Sequence, residues 1–135
     1  MPTQENKAIV QQLFDEVFNK GNTSVVNETI ALDYIDPSPI PPPTPGPEGF
    51  AKRTIALRAA FVQEVEFGLF LAEGDLVAFT WKFNGVHNTF AGVPATGKQV
   101  TLSGINVERF ENGKIVEHWS HFDFAGLLEQ ISGNL

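Results

Sequence analysis

Between Gln4 and Asn19 the apolar positions are Ala8, Ile9, Val10, Leu13, Phe14, Val17 and Phe18. Steps of one, three and four set them on one face of a helix about four turns long. Thr3 suits the start of that helix as its N-cap, and Gly21 suits its end. A shorter helix is expected over Thr23 to Ile30, capped by Thr23 or Ser24. A third opens at Pro47-Glu48-Gly49, with Phe50, Leu57 and Phe61 on one face. From Gln63 onward the period falls to two. Val65, Phe67, Leu69 and Leu71 alternate with mixed neighbours up to a hairpin turn at Glu73-Gly74-Asp75. The next run sets Val77, Phe79, Trp81, Phe83 and His87 on one face, against Ala78, Thr80, Lys82 and Asn84 on the other. After a Gly/Pro loop from Asn88 to Gly97, strands are expected over Val100 to Phe110 and Ile115 to Phe122, joined by the turn Glu111-Asn112-Gly113-Lys114. A short helix follows from Phe124 to Ile131, with Asp123 as its cap. Helices first and antiparallel strands afterwards define an α+β fold, with the helices against one face of a curved meander.

The segment from Pro37 to Pro47 holds seven of the nine prolines. It is neither helix interior nor central strand, because each proline lacks an amide donor. Neither flank is long enough to fold alone, so the segment is a stiff surface loop and residues 1–135 form one domain. A chain of 135 residues buries roughly two-thirds of its unfolded surface without a covalent staple. The absence of cysteine excludes disulfides, thiolate nucleophiles and cysteine metal sites. A net charge of −7, with scattered Lys and Arg, argues against nucleic-acid and anionic-membrane partners. No apolar run approaches a membrane span, and the polar, acidic N-terminus is unlike a signal peptide, so a cytoplasmic protein is expected. Twelve Phe against one Tyr and one Met point to an interior built from aromatic rings.

Generic catalytic motifs are missing: no phosphate-binding glycine loop, no Gly-x-Ser-x-Gly elbow and no two-histidine helix pair. His118 and His121 are three apart, which on a strand puts them on opposite faces, so no metal site is expected. More telling are polar residues that alternation places among apolar ones. His118 and Ser120 share a strand face, as do Gly104 and Asn106 with Leu102 on the neighbouring strand, and His87 ends the aromatic face of Phe79, Trp81 and Phe83. If these faces meet the helices, the interior is either an aromatic pocket with a small polar end or a filled core in which Asn106 and His118 bond to backbone or to each other. Gly104 favours the pocket, since it leaves space beside His118.

The run Gly113-Lys114-Ile115-Val116-Glu117-His118-Trp119, followed by Asp123-Phe124-x-Gly126-Leu127-Leu128, resembles the C-terminal signature of the SnoaL-like polyketide cyclases. Asp33-Tyr34, Ala72-Glu73-Gly74-Asp75 and Gly92-Val93-Pro94-Ala95-Thr96-Gly97-Lys98 resemble further family motifs, so the resemblance covers nearly the whole chain. It implies the nuclear transport factor 2-like, or cystatin-like, α+β barrel: a cone-shaped curved antiparallel sheet wrapped around N-terminal helices. It also implies a position for an acid/base aspartate of aldol ring closure, one residue after the tryptophan, which is Ser120 here. The family's inward glutamine and histidine fall on Gly104 and Asn106. A serine hydroxyl does not titrate near neutrality and cannot replace a carboxylate as base.

His118 and His87 are therefore the catalytic candidates, with Ser120, Asn106, Trp81, Phe79, Gly104 and Tyr34 as candidate ligand contacts. Tyr34 and Asp36 could close the pocket mouth, or Asp36, ahead of a proline, could cap a turn. Three functions stay open: a cofactor-independent cyclase or isomerase moving a proton on a small, mostly apolar carbonyl compound, a non-catalytic carrier or sensor of a small hydrophobic molecule, and an interaction module with a vestigial pocket. Ile105, Val107 and Trp119 lie opposite the pocket residues, which predicts a homodimer through the convex sheet face, as the resemblance also implies.

Overall fold

The computed structural model describes residues 2–37, 44–61, 64–89 and 94–132. Residues 38–43 of the proline-rich segment, residues 90–93 of the Gly/Pro loop and Gln63 lie outside the described residues. Elements run in the order α1 (Pro2–Phe14), α2 (Val26–Thr29), β1 (Ile30–Ile35), α3 (Gly46–Phe61), β2 (Glu64–Glu73), β3 (Leu76–Val86), β4 (Gln99–Glu111), β5 (Lys114–Phe122) and α4 (Phe124–Ser132), and a π-helical turn, Asp15–Asn19, prolongs α1. Val10, Leu13, Phe14 and Val17 are buried, as the helical period requires, whereas Ala8 is exposed. At the end of the π-helical turn Asn19 exchanges two hydrogen bonds with the Val65 backbone, 2.7 and 3.1 Å long. They fix where the helix hands over to β2.

The strands form one unclosed, curved sheet in the order β1-β5-β4-β3-β2. From β2 to β5 it is the expected antiparallel meander. Both tight turns need a left-handed backbone: Gly74 has φ of 59°, and Asn112 and Gly113 have 52° and 77°. Two expectations are corrected. The segment from Thr23 to Ile30 is not one helix: helix α2 takes only Val26–Thr29, its N-cap Val25 makes no side-chain bond, and Ile30 already begins β1. Strand β1 pairs in parallel with β5, a contact with no local signal. The second correction concerns β2, where the register shifts between Phe67 and Phe70. A Cβ on Gly68 would stand 2.4 Å from Thr80 Oγ1, and that hydroxyl takes the Leu69 amide instead. The bulge turns Phe70 and Ala72 toward the core and leaves Leu69 and Leu71 69% and 68% exposed.

Helices α1 and α3 cover the concave face of the sheet. One buried cluster joins α1 to Phe50, Val77, Phe79 and Phe110; the other joins Phe61 of α3 to Val65, Phe83, Leu102 and the α4 residues Leu127 and Ile131. Asp123 caps α4 as expected, its Oδ1 accepting from the Gly126 amide at 2.8 Å.

Candidate active site

Alternation along β4 turns Leu102, Gly104, Asn106, Glu108 and Phe110 to the concave side, and the register sets Asn106 beside Ser120 and Glu108 beside His118 of β5. On the other flank Asn106 meets Phe79, and Gly104 meets Trp81 of β3. Facing them are Phe14 of α1, Phe18 of the π-helical turn, and Arg53, Leu57 and Phe61 of α3. With Phe79, Trp81, Leu102, Asn106, His118 and Ser120 of the sheet they enclose a cleft with about 720 Å³ of atom-free space, open solvent at its mouth included. The wall is aromatic and aliphatic apart from Arg53, Asn106, His118 and Ser120.

His118 is only 2% exposed. Its Nδ1 lies 2.8 and 2.6 Å from the two oxygens of Glu108, which is fully buried. Its Nε2 lies 4.0 Å from Asp36 Oδ2. That same oxygen accepts from the Arg53 guanidinium and from the Tyr34 hydroxyl, the latter at 3.0 Å. The buried charges close on themselves: Arg53 balances Asp36, and Glu108 balances His118 whether their shared proton makes an ion pair or a neutral pair. Such closure is needed, because an uncompensated charge in this setting is worth several kcal/mol against folding. Burial pushes the Glu108 carboxyl up from its ordinary range, and the adjacent His118 pulls it part of the way back. Burial likewise holds the Tyr34 phenol protonated, well above the usual range for tyrosine.

Of the residues singled out by sequence, Phe79, Trp81, Asn106, His118 and Ser120 line the cleft. Gly104 does not, and the space attributed to it is not empty. A Cβ there would lie 2.5 Å from Trp81 Cζ2 and 2.7 Å from the His121 carbonyl oxygen, so the indole occupies the room the glycine leaves. Tyr34 and Asp36 do not close the mouth, nor does Asp36 merely cap a turn. The side chains of both are buried against His118, with the Tyr34 ring centroid 6.4 Å from the imidazole and Asp36 Oδ2 4.0 Å from its Nε2. His87 is buried just beyond β3, its Nδ1 2.9 Å from Thr96 Oγ1 and its ring 6.2 Å from Phe61, and it is not part of the cleft wall. The structure therefore does not bring the two histidines together.

Sequence reasoning missed Arg53 and Glu108. Both sit in register with its own patterns: Arg53 lies three after Phe50 and four before Leu57 on the inward helix face, and Glu108 falls on the same strand parity as Asn106. Among the described residues no group of three or more His, Asp or Glu is arranged to hold a metal ion.

An open, curved sheet cupping an aromatic cleft, with helices on its concave face, defines an α+β domain of the nuclear transport factor 2-like class. Within that class the chain belongs to the SnoaL-like polyketide cyclase family, whose model matches residues 8–131. It is 32% identical over 121 residues to the aklanonic acid methyl ester cyclase DnrD of Streptomyces peucetius, covering 86% of this chain and 83% of that one. To the nogalonic acid methyl ester cyclase of Streptomyces nogalater it is 30% identical over 118 residues, covering 84% and 88%. The crystal structure of a candidate polyketide cyclase from Acidithiobacillus ferrooxidans superposes with a TM-score of 0.79 at 31% identity, over 97% of this chain and 96% of that one.

Proposed function

We propose that this protein is a cofactor-independent acid–base enzyme, a cyclase or isomerase acting on a small, largely apolar carbonyl compound. The observation that carries the proposal is that His118 stands in the cleft wall with Nδ1 held by the buried Glu108 carboxyl, while Nε2, 4.0 Å from Asp36 Oδ2 and so beyond hydrogen-bond reach of it, is the nitrogen we assign to the substrate. A carboxylate behind an imidazole fixes its tautomer and orientation and balances the imidazolium that proton abstraction creates. In the step envisaged, Nε2 takes a proton from the carbon next to a carbonyl, and the C–H electron pair moves onto the carbonyl oxygen as an enolate. The enolate carbon attacks a second carbonyl of the same molecule, closing a ring, and the imidazolium returns its proton to the new alkoxide. No atoms are gained or lost. The base is then two residues from the position of the family's aspartate, which Ser120 occupies.

Aklanonic acid methyl ester and nogalonic acid methyl ester, named for the relatives' activities, are the probes to use. Incubation with the purified protein should convert at least one to a ring-closed isomer, resolved by chromatography at unchanged mass. The serine at position 120 favours a second possibility, a carrier of the same kind of molecule. An ester recovered bound and unchanged would establish the carrier, and an ester neither bound nor converted would sink both. Two further expectations belong to the proposal. The first is a cytoplasmic location, tested by cell fractionation. The second is a homodimer through the convex face, where Leu71, Ala78, Val107 and Trp119 fall in register across four strands and Ile105 is 43% exposed. Light scattering that finds a monomer at micromolar concentration would remove the dimer.

A further inference from the structure

We infer that Asn106 and Ser120 form a paired donor site for a carbonyl oxygen that takes on negative charge, and that Trp81 is the positioning residue that aims it. This deepens the acid–base proposal and rests on it for the identity of the reaction, but the donor site has a test of its own. An indole N–H only donates. Trp81 Nε1 lies 2.8 Å from Asn106 Oδ1, which fixes the amide: oxygen toward the indole, NH₂ left for the cleft. Ser120 is the register partner of Asn106 on the same face, which sets their Cβ atoms about 4.5–5.5 Å apart. Among the described residues no hydrogen bond engages the Asn106 amide nitrogen or the Ser120 hydroxyl. Two donors thus converge in a wall made mostly of rings, where water is scarce and a hydrogen bond to an anion is strong.

The aiming is built from further contacts. Gly104 gives the indole its place against β4, since any Cβ there would overlap it. Phe83 stacks on the indole at 6.1 Å and 9°, and Phe122 meets it at 6.0 Å. His118 lies two residues before Ser120 on the same face, about 6.6 Å along the strand. Base and donor pair therefore flank one carbonyl unit, the imidazole at the carbon and the donors at the oxygen. The ligand class is a planar apolar molecule bearing an enolate or phenolate oxygen.

The test uses 2-naphthol, whose ionisation is read from its absorbance when bound. Wild type should bind the naphtholate more tightly than the neutral naphthol, so that the bound probe ionises at lower pH than the free one. Trp81→Phe keeps a ring in the stack but removes the N–H, and should reduce that preference roughly tenfold, the size of one hydrogen bond to a charged group. Ser120→Ala removes one donor without touching the stack, should act in the same direction, and serves alone if the tryptophan variant does not fold. A preference unchanged in both variants, or a wild type that prefers neutral naphthol or binds neither form, overturns the donor site. Failure of the two ideas is separable. If His118→Ala abolishes ring closure while Trp81→Phe and Ser120→Ala keep the preference, the donor site falls and the base stands. If the variants lose the preference while ring closure ignores His118, the base falls and the donor site stands.

Discussion

His118 and His87 are both buried, and each holds an oxygen within hydrogen-bonding distance of Nδ1. At His118 the oxygen belongs to a carboxylate, a second carboxylate lies 4.0 Å from Nε2, and the ring borders the cleft. At His87 it belongs to the Thr96 hydroxyl, Nε2 is buried without a hydrogen-bond partner among the described residues, and the cleft is elsewhere. A proton placed on His118 meets countercharge. A proton placed on His87 meets only the field of Lys98 and the loss of water, and these, burial foremost, pull its pKa below 6.5. His87 instead staples a loop base, its amide donating to Lys98 O at 2.8 Å while its carbonyl accepts from Gly97 at 3.1 Å. Burial alone does not make a histidine a proton-transfer group; the partner and access to a ligand do.

The largest break in this contrast should come from Glu108→Ala, which leaves His118 buried without the partner of its Nδ1 while the Arg53–Asp36 pair stays whole. Removing one member of a buried pair costs about 3–5 kcal/mol, so the denaturant midpoint should fall steeply. A variant as stable as wild type would show that water, not protein, compensates His118. A smaller loss, about 1.5–3 kcal/mol, is expected from Tyr34→Phe, which deletes one hydrogen bond to Asp36 and leaves Arg53 in place. Equal melting of Tyr34→Phe and wild type would contradict that. The smallest effect concerns His87 and appears only with pH. Its folded pKa lies below the unfolded 6.5, so its contribution is fully present above that value. It is lost as pH falls from there through the folded pKa, because the unfolded chain then binds the proton that the folded one refuses. Melts taken between about pH 7.5 and pH 5 should show wild type losing stability faster than His87→Gln; parallel curves would rule the mechanism out.

The meander was legible because its pairing is local and its turns carry Gly74, Asn112 and Gly113, residues that accept left-handed backbone. Strand β1 was not, since it is made by parallel pairing with a segment some eighty residues away. The bulge at Gly68 was hidden for a similar reason: the atom that displaces the register belongs to Thr80 on another strand. In the site, alternation alone delivered His118, Ser120, Asn106 and Trp81 to the cleft wall. Arg53 and Glu108 escaped, and Asp36 was read only as a mouth or turn residue, because a charged side chain defaults to the surface unless a partner awaits it. Their partners lie on other elements, Arg53 for Asp36 and His118 for Glu108.

The most direct measurement compares ring closure of one ester probe by wild type, His118→Ala and His87→Ala under identical conditions. His118→Ala should lower kcat by roughly 10²–10⁴, the usual contribution of a positioned acid or base, while His87→Ala stays within a few-fold of wild type. Equal losses in the two variants, or a larger loss at His87, would contradict the assignment of His118 as the base.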